Sequence, residues 1–152
     1  MKHEKYDAVL TSANGFEYTF LSVGPKGEIQ KVVQFLQTAN PNIYNLAFGD
    51  LLPDGDIDDQ VKNDNKDRDK ILATIAAIVY EFTAKHANKR VFFTGSTIAR
   101  TRLYRMALTT NLTELSNDFK IFGLNLEGEM YKIEEFRKGI DYGAFLVERK
   151  IV

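Results

Sequence analysis

An α+β fold is predicted for the 152-residue chain, read as one domain over residues 1–152. Three observations point to it. Apolar residues alternate with polar ones in several consecutive segments separated by Pro/Gly turns. A single long helix with one apolar stripe follows them. Short strand-like segments then resume around a second helix. The expected architecture is an antiparallel meander of three to four strands packed by a long helix, then strand, helix and a C-terminal strand hairpin.

The first 14 residues contain no strong pattern and are expected to fray. Phe16, Tyr18 and Phe20 then alternate with Glu17 and Thr19, as in a half-buried strand. The run Gly24-Pro25-Lys26-Gly27 turns the chain, with proline presetting φ. Residues 28–37 place Ile29, Val33 and Phe35 on one face. Asn40-Pro41-Asn42 interrupts them, and Tyr44, Leu46 and Phe48 alternate again. A second strong turn, Pro53-Asp54-Gly55-Asp56, leads to a weaker edge-like strand at residues 57–61.

The long helix is expected over residues 67–86. Ile71, Ile75, Ile78, Val79 and Phe82 form its stripe, which should cover the apolar face of the meander. Burying each of these side chains is worth about 1.5–3 kcal/mol before entropy. Asp67 and Asp69 suit the positive end of the helix dipole, Lys85 and His86 the negative end. Asn88 is the expected left-handed terminator. Residues 90–93 then read as a short strand and 98–110 as a helix capped by Thr97. In that helix Ala99, Leu103, Met106, Ala107 and Thr110 are expected to pack inward. A turn with a short helix follows at 111–119, with Thr113 a second candidate cap. Residues 120–125 and 129–133 read as a hairpin around Glu127-Gly128, and 144–149 as a closing strand.

Composition narrows the function classes. Apolar residues are 44% and charged residues 27% of the chain, a globular balance. Twenty Lys and Arg nearly cancel 21 Asp and Glu, so net charge offers no general attraction to nucleic acid or membranes. Without cysteine there is no disulfide and no thiolate chemistry. The N-terminus lacks a signal-peptide core, and no apolar run approaches the ~20 residues of a membrane span. A cytoplasmic protein with no membrane partner is expected.

Chemistry concentrates at residues 90–106, RVFFTGSTIARTRLYRM. No Asp or Glu occurs between Glu81 and Glu114, while Lys85, Lys89, Arg90, Arg100, Arg102 and Arg105 all do. Gly95, Ser96 and Thr97 form a turn at a helix N-terminus, where backbone N–H groups and the dipole favour an anion. Arginine supplies a planar fork of donors suited to phosphate or carboxylate. Gly95, Ser96, Thr97, Arg100, Arg102 and Arg105 are therefore the candidate anion-binding set. Three readings compete. The chain is a binding module for an anionic partner, nucleic acid or an acidic protein. Alternatively it is an enzyme acting on a small phosphorylated substrate held by the turn. In the third reading it is an interaction protein whose arginines pair internally with Asp50, Asp54, Asp56, Asp58 and Asp59.

Other motifs carry less. The turn has neither the lysine ending of a P-loop nor the glycines of a dinucleotide fingerprint. Asp54, Asp56 and Asp58 alternate, but Asp59 stands where a calcium loop needs glycine and Asn65 where it needs glutamate. No metal site and no cofactor follow. His3 and His86 belong to no triad pattern, and Ser96 lacks the nucleophile-elbow glycines. Phe16, Tyr18, Phe20, Phe35, Tyr44 and Phe48 have two readings, a base-stacking platform and core.

The ordered segments VGPKGEIQKVVQF, PNIYNLAFGD, IDDQV, DRDKILATIAAIVYEFT, GSTIARTRLYRM and DYGAFLVERK resemble a bacterial domain-of-unknown-function family, DUF6934, found mostly in Bacteroidota. The resemblance spans roughly residues 16–150. It implies a compact α+β fold and assigns no activity, ligand or catalytic residue.

Overall fold

The computed structural model describes residues 4–12, 15–54, 57–58 and 65–150. Its strands are β1 (Val9–Leu10), β2 (Glu17–Gly24), β3 (Gly27–Gln37), β4 (Ile43–Leu51), β5 (Ile57–Asp58), β6 (Arg90–Phe93), β7 (Phe119–Glu127), β8 (Met130–Glu135) and β9 (Ala144–Arg149). The helices are α1 (Arg68–Lys85), α2 (Ile98–Thr110) and α3 (Leu112–Leu115). Among the described residues the nine strands form one mixed sheet, hydrogen-bonded in the order β1-β2-β3-β4-β6-β9-β7-β8, with β5 also on β4. The α+β class is as the alternation predicts. The parallel pairing of β4 with β6, Tyr44 opposite Val91, is an addition to it.

The chain gathers into two compact units, Met1–Leu36 with Leu46–Phe82, and Gln37–Asn45 with Thr83–Val152. In the first, β2 and β3 form the long hairpin anticipated around Gly24-Pro25-Lys26-Gly27, with Tyr18 opposite Val33 and Phe20 opposite Lys31. The stripe of α1 covers it. Phe82 stacks on Phe35 with centroids 3.9 Å apart and lies 6.0 Å from Phe16. Ile75, Ile78 and Phe82 are buried, whereas Ile71 and Val79 are half-buried. Tyr18, Phe20 and Phe35 are buried, Phe20 stacks on Phe48, and Tyr44 is buried within the second unit. Those four buried aromatics are core side chains and present no base-stacking platform, and Phe16 and Phe48 are half-buried.

Two polar groups interrupt this core. Period-two alternation puts Lys31 on the same face as Val33 and Phe35, and its ammonium pairs there with the Asp50 carboxylate. The second is a hydrogen-bonded cluster at the start of α1. Asp67 accepts from the Tyr6 hydroxyl (2.6 Å) and from the Ser22 hydroxyl. Asn65 donates to Ser22 Oγ (3.1 Å) and to the Gly27 carbonyl (2.9 Å), and accepts from the Lys26 N–H (2.7 Å). Of the first 14 residues, expected to fray, 4–12 are described. Val9 and Leu10 pair with Thr19 and Tyr18, and the Tyr6 N–H donates to Thr74 Oγ1 (2.8 Å). The expected edge strand at 57–61 is seen as β5, and residues 59–61 lie outside the described residues.

In the second unit β6, β9, β7 and β8 are antiparallel neighbours. The hairpin turn is Gly128-Glu129, one residue beyond the expected position, with Gly128 at φ 61. Glycine first in a two-residue loop matches the right-handed twist of the strands. Two helix-end expectations are corrected. Among the described residues Lys66 is the one non-glycine at positive φ, so Asn88 is no left-handed terminator, and α1 ends in a turn with Lys89 N–H donating to His86 O (2.9 Å). The N-cap of the short helix α3 is Asn111, not Thr113, and it makes no side-chain cap hydrogen bond.

The loop before β9 closes on β8. Tyr142 donates to Glu134 Oε1 (2.6 Å), and Arg137 Nη2 donates to the same oxygen (3.0 Å). The tyrosine hydrogen bond, then the arginine one, hold the Glu134 carboxyl below its ordinary range. A group with a depressed folded-state pKa adds stability above the ordinary carboxylate range, and that stability fades as pH falls through the folded value. A carboxyl NMR titration is expected to place the Glu134 midpoint below the usual ~4.3 of glutamate, and Tyr142→Phe is expected to raise it. An unmoved midpoint in Tyr142→Phe would show that the hydroxyl is not the cause.

Candidate anion-binding site

Strand β6 delivers the chain to the turn. Val91 is fully buried, opposite Val147 of β9 and Tyr44 of β4. Just past the strand, the Thr94 hydroxyl donates to the Gly143 carbonyl (2.7 Å). Thr97 is the N-cap as expected, in extended conformation with Oγ1 accepting from the Arg100 N–H (3.1 Å). Thr101, which the sequence reading passed over, ties the turn together. Its Oγ1 accepts from the Gly95 N–H (3.0 Å) and lies 3.1 Å from the Thr97 carbonyl, to which the hydroxyl can donate. Gly95 and Arg100 therefore direct their N–H groups at side chains of the turn itself. An incoming phosphate would have to displace those bonds to use these two donors.

The register of α2 differs from expectation. Tyr104 and Leu108 are its buried residues, while Ala99, Thr110 and Met106 are exposed. Aromatic packing decides this. Tyr104 meets Phe93 edge-on at 5.6 Å, and Phe93 lies 5.4 Å from Phe145. Two aromatic contacts and a leucine bury far more apolar area than the alanines and threonine of the opposite side. Burial pushes the Tyr104 hydroxyl up to about 12, against the opposing pull of the nearby Arg100 charge. It is therefore a neutral phenol at physiological pH.

The six predicted residues accordingly divide. Gly95, Ser96, Thr97 and Arg100 come together, with Arg100 Nη1 folded back onto Ser96 Oγ (3.3 Å). Arg105 leaves the group, because its guanidinium pairs with Asp141 of the loop before β9. That carboxylate is 93% exposed, so the pair is a solvent-screened surface contact. Arg102 projects outward and forms no ion pair among the described residues. An acid does reach this helix, and it comes from 36 residues away in the chain. Asp50, one of the proposed acidic-hairpin partners, is taken by Lys31. Asp56, Asp59 and His3 lie outside the described residues.

Among the described residues no group of three or more His, Cys, Asp or Glu could hold a metal ion, and no helix is long and apolar enough to cross a membrane. No curated protein and no solved structure matches the chain. A model of the family of unknown function DUF6934 matches residues 2–150, as the ordered motifs from VGPKGEIQKVVQF to DYGAFLVERK suggest, and the chain belongs to that family.

Proposed function

We propose that the chain is a binding module and that the outward face of α2 docks an acidic segment of a partner protein. One observation carries this reading. Ile98, Arg102 and Met106 recur every fourth residue, so they line one stripe of the helix. Ile98 is 83% exposed and Met106 49% exposed, and between them lies Arg102, which forms no ion pair among the described residues. Arginine and methionine are enriched in protein–protein interfaces. The acid-free run from Glu81 to Glu114 keeps the local field positive.

A nucleic-acid surface would present several cations together along the phosphate track. Here Arg105 turns to Asp141 and Arg100 folds onto Ser96, which leaves a lone outward arginine between two apolar neighbours. That mixture suits an acidic amphipathic peptide better than a phosphate backbone.

The test uses a fluorescent peptide of alternating leucine and glutamate beside labelled single-stranded DNA, each titrated with the intact protein. The peptide is expected to bind, to weaken as salt screens the charge, and to lose on the order of ten-fold in affinity with Arg102→Glu, about 1.4 kcal/mol. Ile98→Ser should weaken it as well. Peptide binding that ignores both substitutions would sink the proposal. DNA binding in place of peptide binding would move the module to the nucleic-acid class.

A further inference from the structure

We infer that β8 is a dimerisation edge, pairing antiparallel with β8 of a second copy of the chain about a two-fold axis through Ile133. The hydrogen-bonded order ends on β8, and the strand is exposed along nearly its whole length. Edge strands in soluble proteins are ordinarily short, charged or covered. This one is short and bears Lys132, Glu134 and Glu135, yet it also carries Met130, Tyr131 and Ile133, which are half-exposed or more.

The free backbone groups of that edge follow from its register on β7. The Phe136 N–H donates to the Ile121 carbonyl (2.9 Å), continuing the pairing of Glu134 with Gly123 and Lys132 with Asn125. In an antiparallel ladder the hydrogen-bonded pairs alternate. Met130, Lys132 and Glu134 therefore use their N–H and C=O groups on β7. Tyr131, Ile133 and Glu135 aim theirs at the open edge, where the Glu135 carbonyl also takes a long contact from the Tyr142 hydroxyl (3.5 Å).

A symmetric partner must bond through those three residues, so the axis passes through residue 132, 133 or 134. An axis at 132 sets Lys132 against its own copy, and one at 134 sets Glu134 against its own copy. Like charges directly opposite are destabilising. An axis at Ile133 sets Lys132 against Glu134 of the partner copy twice over, in the closely spaced non-hydrogen-bonded positions. On the other face Ile133 meets Ile133, and the exposed row of Leu126, Tyr131 and Ile133 continues into the second copy. The ion pair Lys132 makes within its own chain is a long one, to Glu127 (4.0 Å). Glu134 Oε1 holds the Tyr142 hydroxyl and Arg137, while Oε2 has only a longer contact with Arg137 (3.3 Å) and is the oxygen that meets the incoming lysine. The occupant that fits is thus a second copy, through the complementary charges of one six-residue strand.

Sedimentation equilibrium of the full chain tests this. The wild type is expected at twice the chain mass, dissociating on dilution. Ile133→Pro removes an N–H that points away from β7, so the sheet within the chain keeps its bonds and the protein becomes a folded monomer. Lys132→Glu and Glu134→Lys should each weaken self-association on the order of ten-fold, and an equal mixture of the two variants should restore a dimer of one copy of each. A wild type that stays monomeric into the millimolar range overturns the inference. So does a dimer untouched by Ile133→Pro, or a mixture that associates no better than its separate components.

Discussion

Replacing Lys31 with alanine is expected to destabilise the first unit by about 3–5 kcal/mol, the usual cost of removing one partner of a buried ion pair. The side chains of Lys31 and Asp50 are 5% and 11% exposed, and the ammonium lies 6.0 Å from the centre of the Phe48 ring. In water the abandoned carboxylate would be solvated. Between β3 and β4 the Lys31 ammonium offsets part of its desolvation, and that contribution is lost in the variant. The reverse experiment separates the pair from its surroundings. Lys31→Met combined with Asp50→Leu removes both charges and keeps similar volume, and such replacements are often neutral or stabilising by about 1–4 kcal/mol. Urea unfolding followed by circular dichroism reads both. A loss below about 1 kcal/mol in Lys31→Ala would mean that water reaches the pair and screens it as on a surface.

Gly95→Ala is expected to cost about 1–3 kcal/mol, the range for overpacking a filled site. A methyl group there would stand 2.3 Å from the Thr101 backbone nitrogen and 2.7 Å from the Arg100 carbonyl carbon. Both are backbone atoms of the first turn of α2, so no side chain can swing aside. The helix start must shift, and with it the Thr97 cap and the Thr101 hydrogen bonds. Thr101→Ala provides the contrast. It removes the bond to the Gly95 N–H at a cost of about 1 kcal/mol and leaves the backbone in place. Hydrogen exchange at Arg100 and Thr101 should quicken markedly in Gly95→Ala. If it does not, the close approach of turn and helix is looser than 2.3 Å implies. The same residue read from sequence offers an N–H to an anion. In the folded chain its lack of a side chain admits Thr101.

The candidate site was legible in part. Thr97 as cap, and Ser96 with Arg100 in one turn, are local relations within four residues, and the sequence carries local relations directly. The inward face of α2 was not legible. Ala99, Met106 and Ala107 looked apolar enough to pack, and nothing in the spacing announces that Phe93, itself packed on Phe145, waits on the opposite side for Tyr104. Asp141 as the partner of Arg105 depends on a loop that folds back beside the helix. Thr101 could have been found, since a threonine four residues after the cap can bond back to a carbonyl.

By itself the sequence determined which segments become strands and helices, because side-chain period and turn chemistry act over a few residues. Three alternating runs, one apolar stripe and a set of glycine and proline breaks suffice for an α+β chain. The tertiary structure alone decided the parallel seam of β4 and β6, the burial of Lys31 against Asp50, and the dispersal of the three arginines of α2. Each of these pairs groups that are far apart in the chain. Packing area and desolvation select such partners, and neither quantity exists until distant segments meet.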